Sequence, residues 1–563
     1  MIVLLAATGV PGINESHYLP KAKHFWDPTF APRDLFLTSH DSHFLTSATA
    51  GLLTVTLPLA VVAWLGRLAA WSFMAFAWGR LTRCVGMVWW QSWIALAGWY
   101  VANHYGHWAG EWFLGGFEAK AVAYPSVVMA MTYVVQGRWT WVWPWLGFAV
   151  AWHPVVGGWA GLSTGLVWWW ENRRELWSAL RGQMLPLVIG TCLALIGIVP
   201  ALGGLGSPNR EGTIVASQVQ VYYRLAHHLC PRLFAPERHW AAATTVVLFL
   251  TSSLLMMRGR PLQDQDGAAW KGSVRLVAVC WTSVGIALIG LLVDALMSDD
   301  RLPTYQPEIA SQILRFYWFR WSDVAVPLGI VVATWLVARS AGADRWSVLD
   351  STGNNQRPKT DRRRHASVVG VWWSVGAVVA ITLGVGRIQH QRWNEDVAPA
   401  DRLVATPPGP HAAATDRLVD WIAVCTWIRE NAPTDSLWLT PKYQQTFKWY
   451  AGRSEVVNWK DVPQDNRSVI EWFRRIRRCE PPRDARGKLR GWTTDELLDL
   501  AAEYDAQWIL VDRSIQQNPP LLEIRYPIDI DNRSFAVFFV DSQQIEKRQT
   551  NREAPVTSTQ TAQ

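Results

Sequence analysis

The sequence predicts an α-helical polytopic membrane bundle of about 11 transmembrane helices, followed by a small α/β domain outside the bilayer. Three observations predict it. Up to residue 386 the chain is a series of apolar blocks, and beyond that it has the mixed pattern of a water-soluble domain. Only 17% of the 563 residues are charged while 38 are Trp, a ring that favours membrane interfaces. The loops between the blocks alternate between basic and His-, acid- and aromatic-rich, which is how membrane topology is written.

A hydrocarbon core of about 30 Å needs about 20 apolar residues per helix. Blocks at 1–12, 57–82, 84–103, 119–136, 139–153, 155–170, 184–203, 240–257, 274–296, 323–340 and 368–386 meet or approach that length. The basic loops carry Arg80 and Arg83, then Arg138, then Arg173 and Arg174, then Arg258 and Arg260. The last is the cluster Arg357, Lys359, Arg362, Arg363 and Arg364. The other loops are 13–56, 104–118, 204–239 and 297–322. The positive-inside rule puts the basic loops and the N-terminus in the cytoplasm and the remaining loops and C-terminal domain outside.

Two blocks strain this scheme. Block 1–12 is short for a span, has neither the basic n-region nor the cleavage site of a signal peptide, and would be explained by a start codon placed too late. Arg67 lies inside block 57–82. Either residues 43–55 form a half-helix at the outer surface and Arg67 sits at membrane depth, where a charge is a functional candidate, or Arg67 marks the cytoplasmic turn of a short hairpin.

Residues 387–415 are a Pro/Ala-rich linker, and 416–545 form the soluble domain. Asp416–Ala432 has helical periodicity, with Leu418, Trp421, Ile422, Cys425 and Ile428 on one face. Helices are also expected at 443–451, at 466–478 and from Thr493 or Thr494 through Ala502, the last with Glu496 near the capping-box position. Strands are expected at 436–440, 455–459, 508–511 and 534–540. Strands alternating with helices imply a layered α/β domain with a mainly parallel sheet. Residues 546–563 are polar, and a disordered tail is expected there.

Several functions are excluded. The net charge of +8 is spread over short inter-block clusters, without the single aromatic-interleaved patch of a nucleic-acid binder. There is no GxGxxG and no P-loop. The six cysteines show no metal-ligand spacing, and Cys425 and Cys479 either pair in an oxidising compartment or remain buried thiols.

The outer loops hold more polar chemistry than connection requires. In the first, Glu15 and Asp34 stand among His17, Asp27, Arg33, His40, Asp41 and His43. A carboxylate there can serve as general base for an acceptor hydroxyl or amide, or bind a divalent cation beside a phosphate leaving group. A solvated loop is the bland alternative. Glu118 and Lys120 sit at the outer end of a helix, too close in sequence for a mutual salt bridge across a helical turn, and Lys120 either faces a phosphate or snorkels. His153, with Pro154, ends another helix at that level. Arg224, His227 and His228 form a donor cluster for an anion, since adjacent histidines on a helix point about 100° apart and seldom chelate one metal. Arg320 and Asp323, near Arg315, mark a further helix mouth, and the planar fork of Arg suits phosphate. All these groups fall on one side of the membrane, which describes a site.

With these residues in view, the chain resembles the GT-C class of membrane glycosyltransferases. The likeness rests on an N-in, C-out bundle, on Asn14-Glu15 straight after the first helix, where many members have Asp-Glu, and on the C-terminal extracytoplasmic α/β domain. More closely it is similar to an uncharacterised bacterial GT-C-like family, through NESHYL, FEAKAVAY, HPVVGGW, RLAHHLCP, FRWSD, WIRENAPTDSLWLTP and VVNWKDVP. The resemblance implies transfer of a sugar from a polyprenyl-phosphate-linked donor to a glycan, lipid or protein acceptor at the outer face of a bacterial cytoplasmic membrane. It implies Glu15 as catalytic carboxylate with Asp34 second, and Arg224, Arg320 and Lys120 as contacts to the donor phosphate. Read from the loops themselves, Arg67, Glu118, His153, His227, His228 and Asp323 are the further candidate substrate-binding groups. A divalent cation is a candidate cofactor. The competing readings are a transporter or flippase of a lipid-linked or anionic solute, and a non-catalytic assembly or sensor protein.

Overall fold

The computed structural model describes all residues except 207–209, 259–266, 351–375, 391–396, 406–413, 517, 529–530 and 554–563. The basic cluster at 357–364, much of the expected linker and the first residues of block 368–386 lie outside the described residues. The chain divides into two compact units. A bundle unit takes Met1–Ala7, Ser42–Leu45 and Leu65–Glu395, and an α/β unit takes Thr8–Asp41, Thr46–Trp64 and Asp396–Gln563. Most of the loop expected at the outer face, 13–56, therefore belongs to the same unit as the C-terminal sheet.

Among the described residues five helices are long and apolar enough to cross a membrane: Leu59–Val85, Leu176–Gly203, Pro236–Arg258, Gly267–Met297 and Arg320–Ser340. Between them run Trp89–Gly106, Ala119–Gln136, Trp139–Trp152 and Pro154–Asn172, with a further helix over 376–390. The first block is helical only over Ile2–Ala6. Leu59–Val85 runs unbroken through Arg67, so no hairpin turn occurs there, and Arg67 is buried.

Small residues let the bundle helices approach closely, the usual device where solvent gives no hydrophobic drive. A Cβ on Gly147 would stand 2.1 Å from the carbonyl oxygen of Gly190 on the neighbouring helix, and one on Gly190 would stand 2.6 Å from that of Trp143. Aromatic rings fill the wider gaps. Trp99 stacks on Phe113 at 3.7 Å between centroids and donates from its indole N–H to the Val324 carbonyl at 2.9 Å.

The α/β unit carries a five-stranded sheet of order β2-β1-β3-β5-β4. Its strands are β1 (Leu437–Leu439), β2 (Ser454–Glu455), β3 (Trp508–Asp512), β4 (Glu523–Tyr526) and β5 (Phe535–Phe539). β1 pairs parallel with β2 and β3, with Trp438 opposite Trp508, whereas β5 runs antiparallel to both β3 and β4. The sheet is thus mixed rather than mainly parallel, because only residues 527–534 separate β4 from β5, too few for the crossover that a parallel pair requires. The helices Ala414–Asn431, Asn466–Arg478 and Thr494–Tyr504 accompany it. Thr493 and Glu496 close a reciprocal capping box at the start of the last. Trp421, Trp438, Phe447, Phe535 and Val537 are fully buried between the layers. Residues 546–553, expected in a disordered tail, complete the helix Ser542–Glu553, because Ile545 is buried and Arg548 pairs with Asp499 at 2.9 Å. Cys425 and Cys479 are free thiols.

Candidate functional site

In the bundle unit the site is built on a loop, 107–118, between Trp89–Gly106 and Ala119–Gln136. Asp323, in the first turn of the helix from Arg320, shapes this loop. Its carboxylate accepts from the backbone N–H groups of Trp108 (2.7 Å), Ala109 (2.9 Å) and Glu111 (3.1 Å). Gly110, at φ +80°, supplies the left-handed turn that lets three nearby amides converge on one side chain. Asn103 adds a clamp, donating to the carbonyls of Asp323 (2.8 Å) and Glu111 (3.0 Å).

So fixed, Glu111 becomes the centre of a charged cluster. Its Oε2 lies 2.9 Å from Arg320 Nε. Its Oε1 accepts from the Tyr124 hydroxyl at 3.0 Å and lies 3.2 Å from Lys120 Nζ. Lys120 also reaches Glu118 at 3.4 Å and stands 3.8 Å above the Trp112 ring. The Glu118–Lys120 pair departs from the sequence expectation. Glu118 is extended, at φ −158° and ψ 175°, and precedes the helix, so helical side-chain spacing does not govern it. Arg320 stacks on the Tyr317 ring at 3.9 Å and approaches His153 Nε2 at 3.2 Å; guanidinium only donates, so this nitrogen accepts. The His43 ring lies 5.1 Å from that of His153. His228 is tied to the same loop through Nδ1 and the Ala109 carbonyl. Burial holds its imidazole well below the usual range, so it is neutral and donates from Nδ1.

The structure therefore brings together Glu118, Lys120, His153, His228, Arg320 and Asp323, with the His227 ring tilted against that of His228 at 4.0 Å between centroids. Arg224 is buried in the π-helical turn Val219–Arg224, and Arg67 in the helix Leu59–Val85. Glu111 and Tyr124 were missed by sequence reasoning. The available signal was a lone carboxylate in the aromatic, Gly-rich stretch 108–117.

Glu15 and Asp34 lie in the α/β unit. Glu15 is buried at the first position of the helix Glu15–Trp26 and accepts from Gly12 N–H at 2.6 Å. Asp34 Oδ1 caps the short helix Leu35–Thr38 through Phe36 and Leu37 N–H, each at 3.0 Å. Its Oδ2 meets Lys448 Nζ at 3.1 Å and Glu455 N–H at 3.3 Å. Lys448 is the hub of a fully buried cluster, also bound to Asp461 and, at 2.6 Å, to Glu455. His17 Nδ1 approaches Asp461 at 2.6 Å. Burial raises the Glu455 carboxyl to about 7 and lowers the His17 imidazole to about 4. Burial opposes ionisation of Asp461 too, but the Lys448 charge outweighs it and holds that carboxyl at about 2. Among the described residues no group of three His, Cys, Asp or Glu side chains is placed to hold a metal ion.

Residues 419–479, which contain Lys448, Glu455 and Asp461, match the model of a domain of unknown function, DUF6798. A search of curated proteins gives no match. Among solved structures the chain is similar to the archaeal oligosaccharyltransferase AglB from Archaeoglobus fulgidus, in complex with an inhibitory peptide and a dolichol-phosphate. The two are 10% identical, with a TM-score of 0.31, over 91% of this chain and 68% of that one.

Proposed function

We propose that this chain is an integral membrane glycosyltransferase of GT-C type. It moves a sugar from a polyprenyl-phosphate-linked donor to a glycan, lipid or protein acceptor at the extracytoplasmic face of a bacterial cytoplasmic membrane. The bundle has about eleven spans in this reading, its N-terminus inside and its α/β unit outside. The observation that carries the proposal is the buried cluster of Arg320, Lys120 and Glu111 among apolar helices. Buried ion pairs add little to stability relative to apolar packing, so such a cluster calls for a functional reason. Arg320 and Lys120 are the donor set a phosphate requires, and Glu111 is the counter-ion that occupies them before a phosphate does.

In the reaction the acceptor oxygen bonds to the sugar's anomeric carbon as the bond to the phosphate oxygen breaks. The departing polyprenyl phosphate carries the negative charge that Arg320 and Lys120 neutralise. A carboxylate takes the acceptor's proton, and Glu15 is the residue proposed for it. Asp34 is not proposed for that role, since both of its oxygens are already engaged. His153, its ring tilted toward that of His43 at 5.1 Å, and the neutral His228 line the same cluster and offer hydrogen bonds to sugar hydroxyls.

The test is the envelope glycan profile of a deletion strain complemented with wild type, Arg320→Ala or Glu15→Gln. Wild type restores the missing glycan and neither variant does at equal membrane levels. Full rescue by Arg320→Ala removes the phosphate site, and full rescue by Glu15→Gln removes that carboxylate from catalysis.

A further inference from the structure

We propose that one end of the α/β unit is a docking surface for anionic phospholipid headgroups. After the helix Asn466–Arg478 the chain folds into a tight hairpin, with Arg483 bridged to Leu489. The tip is a built turn. Asp484 N–H donates to the Lys488 carbonyl at 2.8 Å, and Asp484 Oδ1 accepts from the N–H groups of Arg486 and Lys488, both at 2.9 Å. Gly487, at φ +77°, closes it. The Asp484 carboxylate thus serves the turn, one negative charge against the three cations Arg483, Arg486 and Lys488, and Arg483 donates back to the Gly487 carbonyl at 2.9 Å.

Neighbouring arginines are neutralised by the fold. Arg478 pairs with Glu503 at 2.8 Å and Arg490 with Glu496 at 2.6 Å. Arg477, Arg483, Arg486 and Lys488 are exposed, and among the described residues no carboxylate forms an ion pair with them. The result is a compact surplus of positive charge on a rigid support.

An apolar knob stands on a segment tied to the residues that follow the hairpin. Gln516 exchanges hydrogen bonds with the Trp492 backbone, donating to its carbonyl and accepting from its N–H, each at 2.8 Å. Leu521 N–H donates to Thr494 Oγ1, also at 2.8 Å. These bonds hold the 518–521 segment, stiffened by Pro519 and Pro520, against the residues that follow the hairpin. Leu521 is 91% exposed, and this is not the inertness of a mobile tail, because its own backbone is anchored.

An exposed apolar side chain on an anchored backbone, tied close in the fold to a hairpin whose cations lack carboxylate partners, suits an interfacial contact, with the Leu entering the headgroup boundary and the cations meeting phosphate. A soluble anionic polymer would reward the cations alone. A stable protein partner would need about 800 Å² of complementary surface on this side, more than a hairpin and one Leu present. The chain also carries its own membrane-length helices, so a bilayer is present at the effective concentration of a tethered ligand. Each basic residue near an anionic bilayer is worth about a fivefold change in partition, and the effect weakens once salt shortens the Debye length.

The experiment is hydrogen exchange on the full-length protein in nanodiscs of phosphatidylcholine alone or enriched in phosphatidylglycerol. Amides at 483–490 and 518–524 are expected to be protected by phosphatidylglycerol, and the protection to be lost in high salt and in the double variant Arg486→Glu, Lys488→Glu. Leu521→Ser, which removes the apolar side chain without adding charge, is expected to weaken the protection and leave its salt dependence unchanged. Unchanged exchange of the Trp508–Asp512 strand amides certifies that each variant is folded. Equal exchange in the two lipids overturns the proposal. So does protection that appears only when polyphosphate is added to phosphatidylcholine nanodiscs, which would assign the surface to a soluble polyanion.

Discussion

Replacing Glu111 by Gln removes one negative charge from between two cations and keeps the shape. Arg320 and Lys120 expose only 17% and 7% of their side chains, so neither can turn to water for compensation. Lys120 keeps Glu118 at 3.4 Å, whereas Arg320 loses its carboxylate at 2.9 Å and retains a neutral histidine nitrogen and a stacked ring. Breaking a buried pair in this way costs about 3–5 kcal/mol. The assay is thermal unfolding of the purified full-length protein in detergent, with and without inorganic phosphate. Phosphate supplies the missing counter-ion, and at about 100 times its dissociation constant it returns about 2.7 kcal/mol to the variant. Wild type, with Glu111 in place, responds less. A Glu111→Gln protein as stable as wild type, or one that phosphate leaves unchanged, would refute the reasoning that these cations form an anion site.

Three further outcomes follow from the same geometry. Asp323→Ala strands three loop amides and is expected to cost about 3–6 kcal/mol, while Asp323→Asn, which keeps one acceptor oxygen, costs about half of that; both are read by thermal unfolding, and equal small effects would contradict the clamp. Gly147→Val overpacks the contact with Gly190 and is expected to cost about 1–3 kcal/mol or more, with a loss of folded protein in fluorescence-detected chromatography. In the α/β unit the raised Glu455 carboxyl contributes stability that is complete below about pH 4.5 and lost as pH rises through about 7, whereas the lowered His17 contributes stability complete above about pH 6.5 and lost as pH falls to about 4. Glu455→Gln is therefore expected to remove the alkaline-side loss and leave the acid-side loss, measured by protease resistance across pH; an unchanged profile would contradict the assignment.

Local periodicity carried much of this fold in the sequence. Ala119–Gln136 and Asn466–Arg478 begin and end where their patterns do, and Thr493 with Glu496 marked a helix start. β4 was not legible: Glu523 and Ile524 are exposed on an edge and only Tyr526 is buried, so no alternation betrays it. The union of the first outer loop with the α/β unit was equally hidden. His17 and Asp461 are 444 residues apart, and nothing local to either announces the contact. In the bundle unit, Lys120, His153, Arg320 and Asp323 were legible as polar groups at helix ends. Glu111 was not, because its role is created by three amides that Asp323 gathers and by a Gly110 turn that only the folded loop displays.

The central claim is that the Arg320–Lys120 site handles the phosphate of a lipid-linked sugar. The most direct measurement is mass spectrometry of polyprenyl-phosphate-linked sugars, alongside the envelope glycan, in the deletion strain and its Arg320→Ala complement. Both strains are expected to accumulate the lipid-linked donor and to lack one sugar from the glycan, and wild type is expected to restore both. An unchanged lipid-linked pool with an unchanged glycan, in a strain shown to lack the protein, would contradict it.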